Sequence, residues 1–216
     1  MDVAIMIKYL PVLARGAGMT VQLTILAIIL GTGMGLVIAL GEISQNRAIS
    51  GSARFYTWLI RGTPLLLQLF TIYYGLPQLG LTLSPFAAAV AGLSLNSAAY
   101  VAEIIRGAIQ SIDRGQMEAA RSLGMSYLQA MRRIILPQAY RRLIPPMGNE
   151  FIALLKDSSL VATISMVDLM RTAQQMYATT FRPVEIFAAA GCLYLVLTTF
   201  FTVTFGRLEK RLSVYQ

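Results

Sequence analysis

The sequence predicts an all-α, polytopic membrane protein with five transmembrane helices, and three observations carry that expectation. Hydrophobic residues make up 56% of the 216 and charged residues only 13%, about half the charge of an ordinary globular domain. The mean hydropathy is +0.63, which belongs to the membrane class. The apolar residues gather into runs near the ~20 residues that cross a bilayer. The whole chain, 1–216, reads as one domain.

The first run is Thr20 to Leu40, where Gly31 and Gly35 form a GxxxG step suited to a close helix crossing. Ahead of it, MDVAIMIKYLP has no basic leader region and no small-residue cleavage site. It reads as a retained amphipathic lead-in rather than a signal peptide. Residues 41–62 form a polar, then amphipathic connector, with Tyr56 and Trp58 suited to an interfacial belt and Arg61 to a cytoplasmic-side anchor. The second run begins near Thr63-Pro64 and continues LLLQLFTIYYGLPQLG; Pro64 fits a first turn or a kink.

Residues 79–84 make a tight, uncharged connection to the third run, Pro85 to about Gly107, which is full of small residues. Glu103 and Arg106 are expected to pair locally near its cytoplasmic end. The fourth run, 143–164, is the weakest, because Glu150, Lys156 and Asp157 interrupt it. Residues 166–185 read as a loop of mixed charge. The fifth run is Ile186 to Gly206, followed by the basic tail RLEKRLSVYQ.

Basic residues sort by side. Thirteen of the eighteen fall in one set of connections and five (Lys8, Arg15, Lys156, Arg171 and Arg182) in the other. The positive-inside rule then puts the N-terminus outside and the C-terminus in the cytoplasm. Five spans require the same arrangement.

The longest polar passage between runs is Gln116 to Pro137, QMEAARSLGMSYLQAMRRIILP. Its local signals predict helix, stop, helix. Glu118, Ala119 and Ala120 favour a helix, and Gly124 stands where a C-terminal cap needs φ > 0. Ser126 with Gln129 reads as a capping box, and Pro137 is expected to end the second helix.

Composition excludes several functions. With no histidine there is no His-ligated metal and no His base, and one cysteine, Cys192, allows no intrachain disulfide. No metal or cofactor is expected. The net charge of +8 is split by topology rather than gathered on one face, so no nucleic acid is expected. A P-loop needs Gly-Lys before Ser or Thr. The lysines are Lys8, Lys156 and Lys210, and none follows a glycine. The chain thus has no nucleotide site of its own and is not expected to be an enzyme.

The spacing in EAARSLGMSYLQAMRRIILP, with Glu118-Ala119-Ala120, then Gly124, Ile134 and Leu136-Pro137, resembles the EAA loop of bacterial ABC importer permeases. Residues 61–77, 95–112 and 136–160 are similar to the polar amino acid branch of that family. The resemblance implies the type I importer fold and an inner-membrane location. It also implies two ABC ATPase subunits, a second permease subunit (the same chain or another) and an extracytoplasmic amino-acid-binding protein. It makes residues 116–137 the coupling segment, with Glu118, Ala119, Ala120, Arg121 and Gly124 at the ATPase and the two alanines permitting close approach.

Ionisable groups at membrane depth are functional candidates. At ~1.5 Å per residue, Asn96 lies roughly 16 Å from the outer end of the third run, near mid-membrane. Asn96 and Tyr100 share a helix face, as do Glu150 and Asp157. With Ser159 and Gln68 they are the candidate substrate-binding residues. The KDSSL run, 156–160, is read either as pocket or as a helix break whose side chains cap backbone groups. A carboxylate at 150 favours a ligand bearing an ammonium or guanidinium group. IYYGLPQLG and LNSAAY resemble the cystine-importing members, which are associated with serine where Glu150 stands. Cystine, arginine, lysine and histidine are therefore the expected substrates, and glutamine an alternative. From a different class, a secondary carrier has no use for the EAA spacing and would be expected to show inverted repeats, none of which is visible.

Overall fold

The structure, a computed structural model, describes residues 3–213, and every regular element in it is helical. Met1, Asp2 and the last three residues of the basic tail lie outside the described residues.

Helix α1, Val3–Glu42, is 40 residues long. The expected lead-in and first span are therefore one continuous helix. Pro11 lies inside it, where it removes one early hydrogen bond. The helix continues through Pro11, and just beyond it Leu13 and Ala17 are buried against Leu169, Ala173, Ile186 and Ala189. Farther along, the GxxxG step behaves as expected. A Cβ at Gly31 would sit 3.0 Å from that of Ser97, and one at Gly35 would sit 2.9 Å from the Ala98 carbonyl. Small residues on both partners bring α1 onto α4, Pro85–Gln110, the most buried of the long apolar helices.

The connector contains a helix of its own, α2, Arg47–Arg61, opened by Asn46, whose side chain accepts from the Ala48 and Ile49 amides. The chain then breaks at Gly62-Thr63-Pro64. Pro64 is extended and leads into α3, Leu65–Phe70, which continues as a wide turn over Thr71–Gly75 and a tight one over Leu76–Leu79. The second run is thus a broken segment, because Pro64 and Pro77 each lack an amide donor. Gly80 closes it at φ 85°. Ser84 caps α4 by accepting from the Ala87 amide.

Helix α5, Arg114–Ser122, is followed by α6, Tyr127–Ala130. Pro137 does not end this helix. A wide turn over Met131–Ile135, with the Leu136 amide bonding back to the Met131 carbonyl, makes room for the ring, and the chain runs on into α7, Leu136–Asp157. A proline near a helix start needs no amide. Helix α7 ends at Asp157 in the expected break, a tight helical turn over Ser158–Ile164 in which Ser158 Oγ donates to the Leu155 carbonyl at 2.8 Å.

The stretch read as a mixed loop holds another helix, α8, Leu169–Thr180, capped by Asp168. Its short, polar periodicity hid it. Asp168 is buried, and Thr20 of α1 accepts the Leu169 amide at 3.2 Å. The last helix, α9, Pro183–Ser213, packs on α7 through Phe151, whose ring centroid lies 4.6 Å from that of Phe201 and 5.4 Å from that of Phe205.

Among the described residues three helices are long and apolar enough to cross a membrane: Ala4–Glu42, Pro85–Gln110 and Pro183–Arg211. The second and fourth expected spans do not join them, one because it is broken and the other because it carries charge.

Candidate functional site

Helix α4 organises the polar groups at depth. Its position 96 falls on the side of α3, and the amide nitrogen of Asn96 donates to Gln68 Oε1 at 3.1 Å. Gln68 in turn donates to the Ile60 carbonyl at 2.8 Å and to the Thr63 carbonyl at 3.1 Å. Two candidate residues are therefore joined, and together they fasten the break between α2 and α3. Gln68 also lines a groove of about 320 Å³ with Leu67, Thr71 and Leu95.

The next residue, Ser97, points to α7 and donates to Glu150 Oε1 at 2.9 Å. Glu150 is half-buried, and this contact fixes its carboxylate against α4. Ser97 was not singled out from the sequence. A serine inside LNSAAY looks like one more small packing residue, and only the approach of α7 distinguishes it. One turn on, Tyr100 is partly exposed and lies under the guanidinium of Arg61, 5.4 Å from ring centroid to Cζ. Asp157 and Lys156 are both exposed and make no ion pair with each other, while Ser159 is half-buried in the turn that follows α7. Asn96 and Ser97, the partners of Gln68 and Glu150, thus sit on neighbouring positions of α4, and Asp157 and Ser159 mark the far end of α7.

Beyond Tyr100, toward the C-terminal end of α4, lies an ion cluster. Arg106 grips Glu103 with two nitrogens, at 3.1 and 2.7 Å, so the expected local pair forms. It is larger than expected. The buried Glu42 lies 3.3 Å from Arg106 Nε and accepts from Thr57 at 2.7 Å. Arg61 adds a contact to Glu103 at 3.1 Å. Residues far apart in sequence build it, which is why only one pair was legible.

The segment between α4 and α7 is a capped, preformed knob. Asp113 opens α5 by accepting from the Gly115 amide at 2.7 Å. Gly124, at φ 79°, closes it. The Gly124 amide bonds the Arg121 carbonyl and the Met125 amide bonds the Ala120 carbonyl, a Schellman pattern that consumes two orphan acceptors. The capping box is present in both directions, Gln129 amide to Ser126 Oγ and Ser126 amide to Gln129 Oε1. Glu118, Ala119, Arg121 and Gly124 are exposed, whereas Ala120 is buried and packs inward instead of lying on the outer face. Leu123 and Leu128, 80% and 76% exposed, project beside the charges. Beneath, Ile112, Ile135 and Ala139 form a small core with Met117 and Met131. Arg142 donates to the Ser111 carbonyl, tying α7 to the end of α4.

No group of three or more His, Cys, Asp and Glu side chains is placed to hold a metal among the described residues.

Over residues 31–214 the chain matches the family described as binding-protein-dependent transport system inner membrane component. It is 42% identical over 214 residues to the arginine transport system permease protein ArtQ of Bacillus subtilis (strain 168), covering 99% of this chain and 98% of that one. The L-cystine transport system permease protein TcyB of the same organism is 40% identical over 209 residues, covering 96% of this chain and 89% of TcyB. A crystal structure of an amino acid ABC transporter with histidines superposes with a TM-score of 0.94 at 45% identity, covering 98% of this chain and 99% of that one. The exposed EAA knob and the polar face of α4 stand on a fold shared almost end to end with these proteins. The chain belongs to the binding-protein-dependent transport system inner membrane component family and is a polar amino acid ABC importer permease.

Proposed function

We propose that this permease imports a cationic amino acid or cystine across a bacterial inner membrane, with Glu150 as the selecting group. The observation that carries the reading is the half-buried Glu150 carboxylate, held by Ser97 on the polar side of α4. A fixed carboxylate at membrane depth attracts an ammonium or guanidinium group and opposes an acidic one. Asn96, Gln68, Tyr100, Asp157 and Ser159 complete the path, with Asn96 and Gln68 shaping it through the α2–α3 break. ArtQ and TcyB, near-equal in similarity, are named for arginine and cystine, so sequence identity alone does not choose between them.

The chain crosses the membrane five times, N-terminus outside and C-terminus in the cytoplasm. The broken segment 65–79 and helix α7 serve as the second and fourth spans. The charge asymmetry of the connections supports this, as does the exposed position of the knob. Glu118, Ala119, Arg121 and Gly124 meet one of two ATPase subunits, and Ala120 holds the knob from within. A second permease, a copy of this chain or a related one, completes the path, and an extracytoplasmic binding protein delivers the substrate. Rigid-body rocking of the two permeases, driven by the ATPases, alternates access.

Radiolabelled uptake into proteoliposomes, competed by each amino acid in turn, tests the substrate. Competition by arginine, lysine, histidine or cystine supports the reading. Competition by glutamate or aspartate alone contradicts it.

A further inference from the structure

Asn96, Tyr100 and Glu103 fall at i, i+4 and i+7 of α4, so they form one stripe along the helix. From Asn96 to Glu103 the stripe descends about 10 Å toward the cytoplasmic end. At its foot the side chain of Arg61 is 42% exposed, resting on the Tyr100 ring. Its ion pair is incomplete. Glu103 presents both oxygens to Arg106, so Arg61 reaches only the shared Oε2, at 3.1 Å. A guanidinium fork matches a carboxylate best when both oxygens are available. The Arg61 guanidinium therefore sits at the end of the polar stripe, oriented by an aromatic face and only partly satisfied by its partner.

We infer that Arg61 is a second, exit-side binding position that takes the α-carboxylate of the amino acid after it leaves the Glu150 level. This rests on the amino acid reading above. The substrate carboxylate displaces Glu103 from Arg61, and Glu103 keeps its two contacts to Arg106, so no buried charge is stranded. The chemistry recognised is a free α-carboxylate, whatever the side chain. Glu150 and Arg61 thus divide the substrate between them, one reading its cationic end and the other its anionic end.

Equilibrium binding of radiolabelled L-arginine and L-glutamine, and of their α-amides, to the purified transporter without binding protein tests this. The amides retain the ammonium group and side chain but lack the α-carboxylate. Wild type is expected to prefer the free acid, and Arg61→Gln to lose at least tenfold of that preference. Arg61→Lys retains a preference, because it retains the charge. Glu103→Gln, which frees the guanidinium, is expected to tighten free-acid binding about threefold. A merely structural Arg61 would weaken acid and amide equally, leaving their ratio unchanged, and Glu103→Gln would then weaken binding. Either result overturns the inference. If Arg61→Gln does not assemble, Arg61→Lys and Glu103→Gln decide it. Wild type that binds none of L-arginine, L-glutamine and L-cystine overturns the amino acid reading itself.

Discussion

Ser97 on α4 donates a 2.9 Å hydrogen bond to the carboxylate of Glu150 on α7, and Gly31 of α1 packs against the same serine. One small residue therefore fixes the candidate selecting group and seats the neighbouring helix. A hydrogen bond to a charged group contributes about 1.5–3 kcal/mol. Ser97→Ala is expected to raise the uptake KM roughly tenfold or more with assembly intact. Kinetics in proteoliposomes check it, and an unchanged KM removes Ser97 from the site.

Glu150→Gln keeps the shape and the Ser97 contact but removes the charge. Uptake of cationic amino acids should fall far more than uptake of neutral ones, while ATP hydrolysis by the assembled complex persists. Parallel losses for every amino acid would show that Glu150 supports the fold rather than selection.

The α1–α4 crossing depends on absent side chains. A Cβ at Gly35 would meet Val101 Cγ1 at 2.8 Å and the Ala98 carbonyl oxygen at 2.9 Å, whereas one at Gly33 meets nothing within 4 Å. Gly35→Leu should destabilise by at least the ~1–3 kcal/mol typical of overpacking, and Gly33→Leu should be silent. Thermal unfolding of the two purified variants compares them directly. Equal melting temperatures would mean that the crossing is not tight.

The knob makes its own prediction. Gly124 at φ 79° has open space around it, so substitution there strains the backbone by roughly 1–2 kcal/mol without a steric collision. Gly124→Asp is expected to cut transport and to uncouple it from ATP hydrolysis, leaving binding-protein affinity unchanged. Preserved, coupled transport would show that the turn is not a transmission point.

The features legible in the sequence were those written in adjacent residues. The GxxxG step, the capping box at Ser126 and Gln129, the Gly124 turn and the start of α4 at Pro85 each depend on a short local pattern. Features made by distant residues were hidden. Nothing in LNSAAY marks Ser97 as the partner of Glu150, 53 positions on, and nothing in GEIS marks Glu42 as the buried partner of Arg106. Pro137 misled for a related reason. A proline ordinarily stops a helix, but the wide turn over Met131–Ile135 moves the hydrogen-bond register just ahead of it. Ala120 belongs to the same class: the EAA spacing marks it, yet only the folded segment shows it turned inward.

We propose that this chain borrows its energy through residues 116–137. Purification of the intact transporter from its native membrane, with identification of the chains that remain bound, tests it most directly. A P-loop ATPase is expected to copurify with wild type and to be lost or uncoupled in Gly124→Asp. A wild-type preparation that carries no ATPase, yet transports amino acids down an ion gradient, would contradict it.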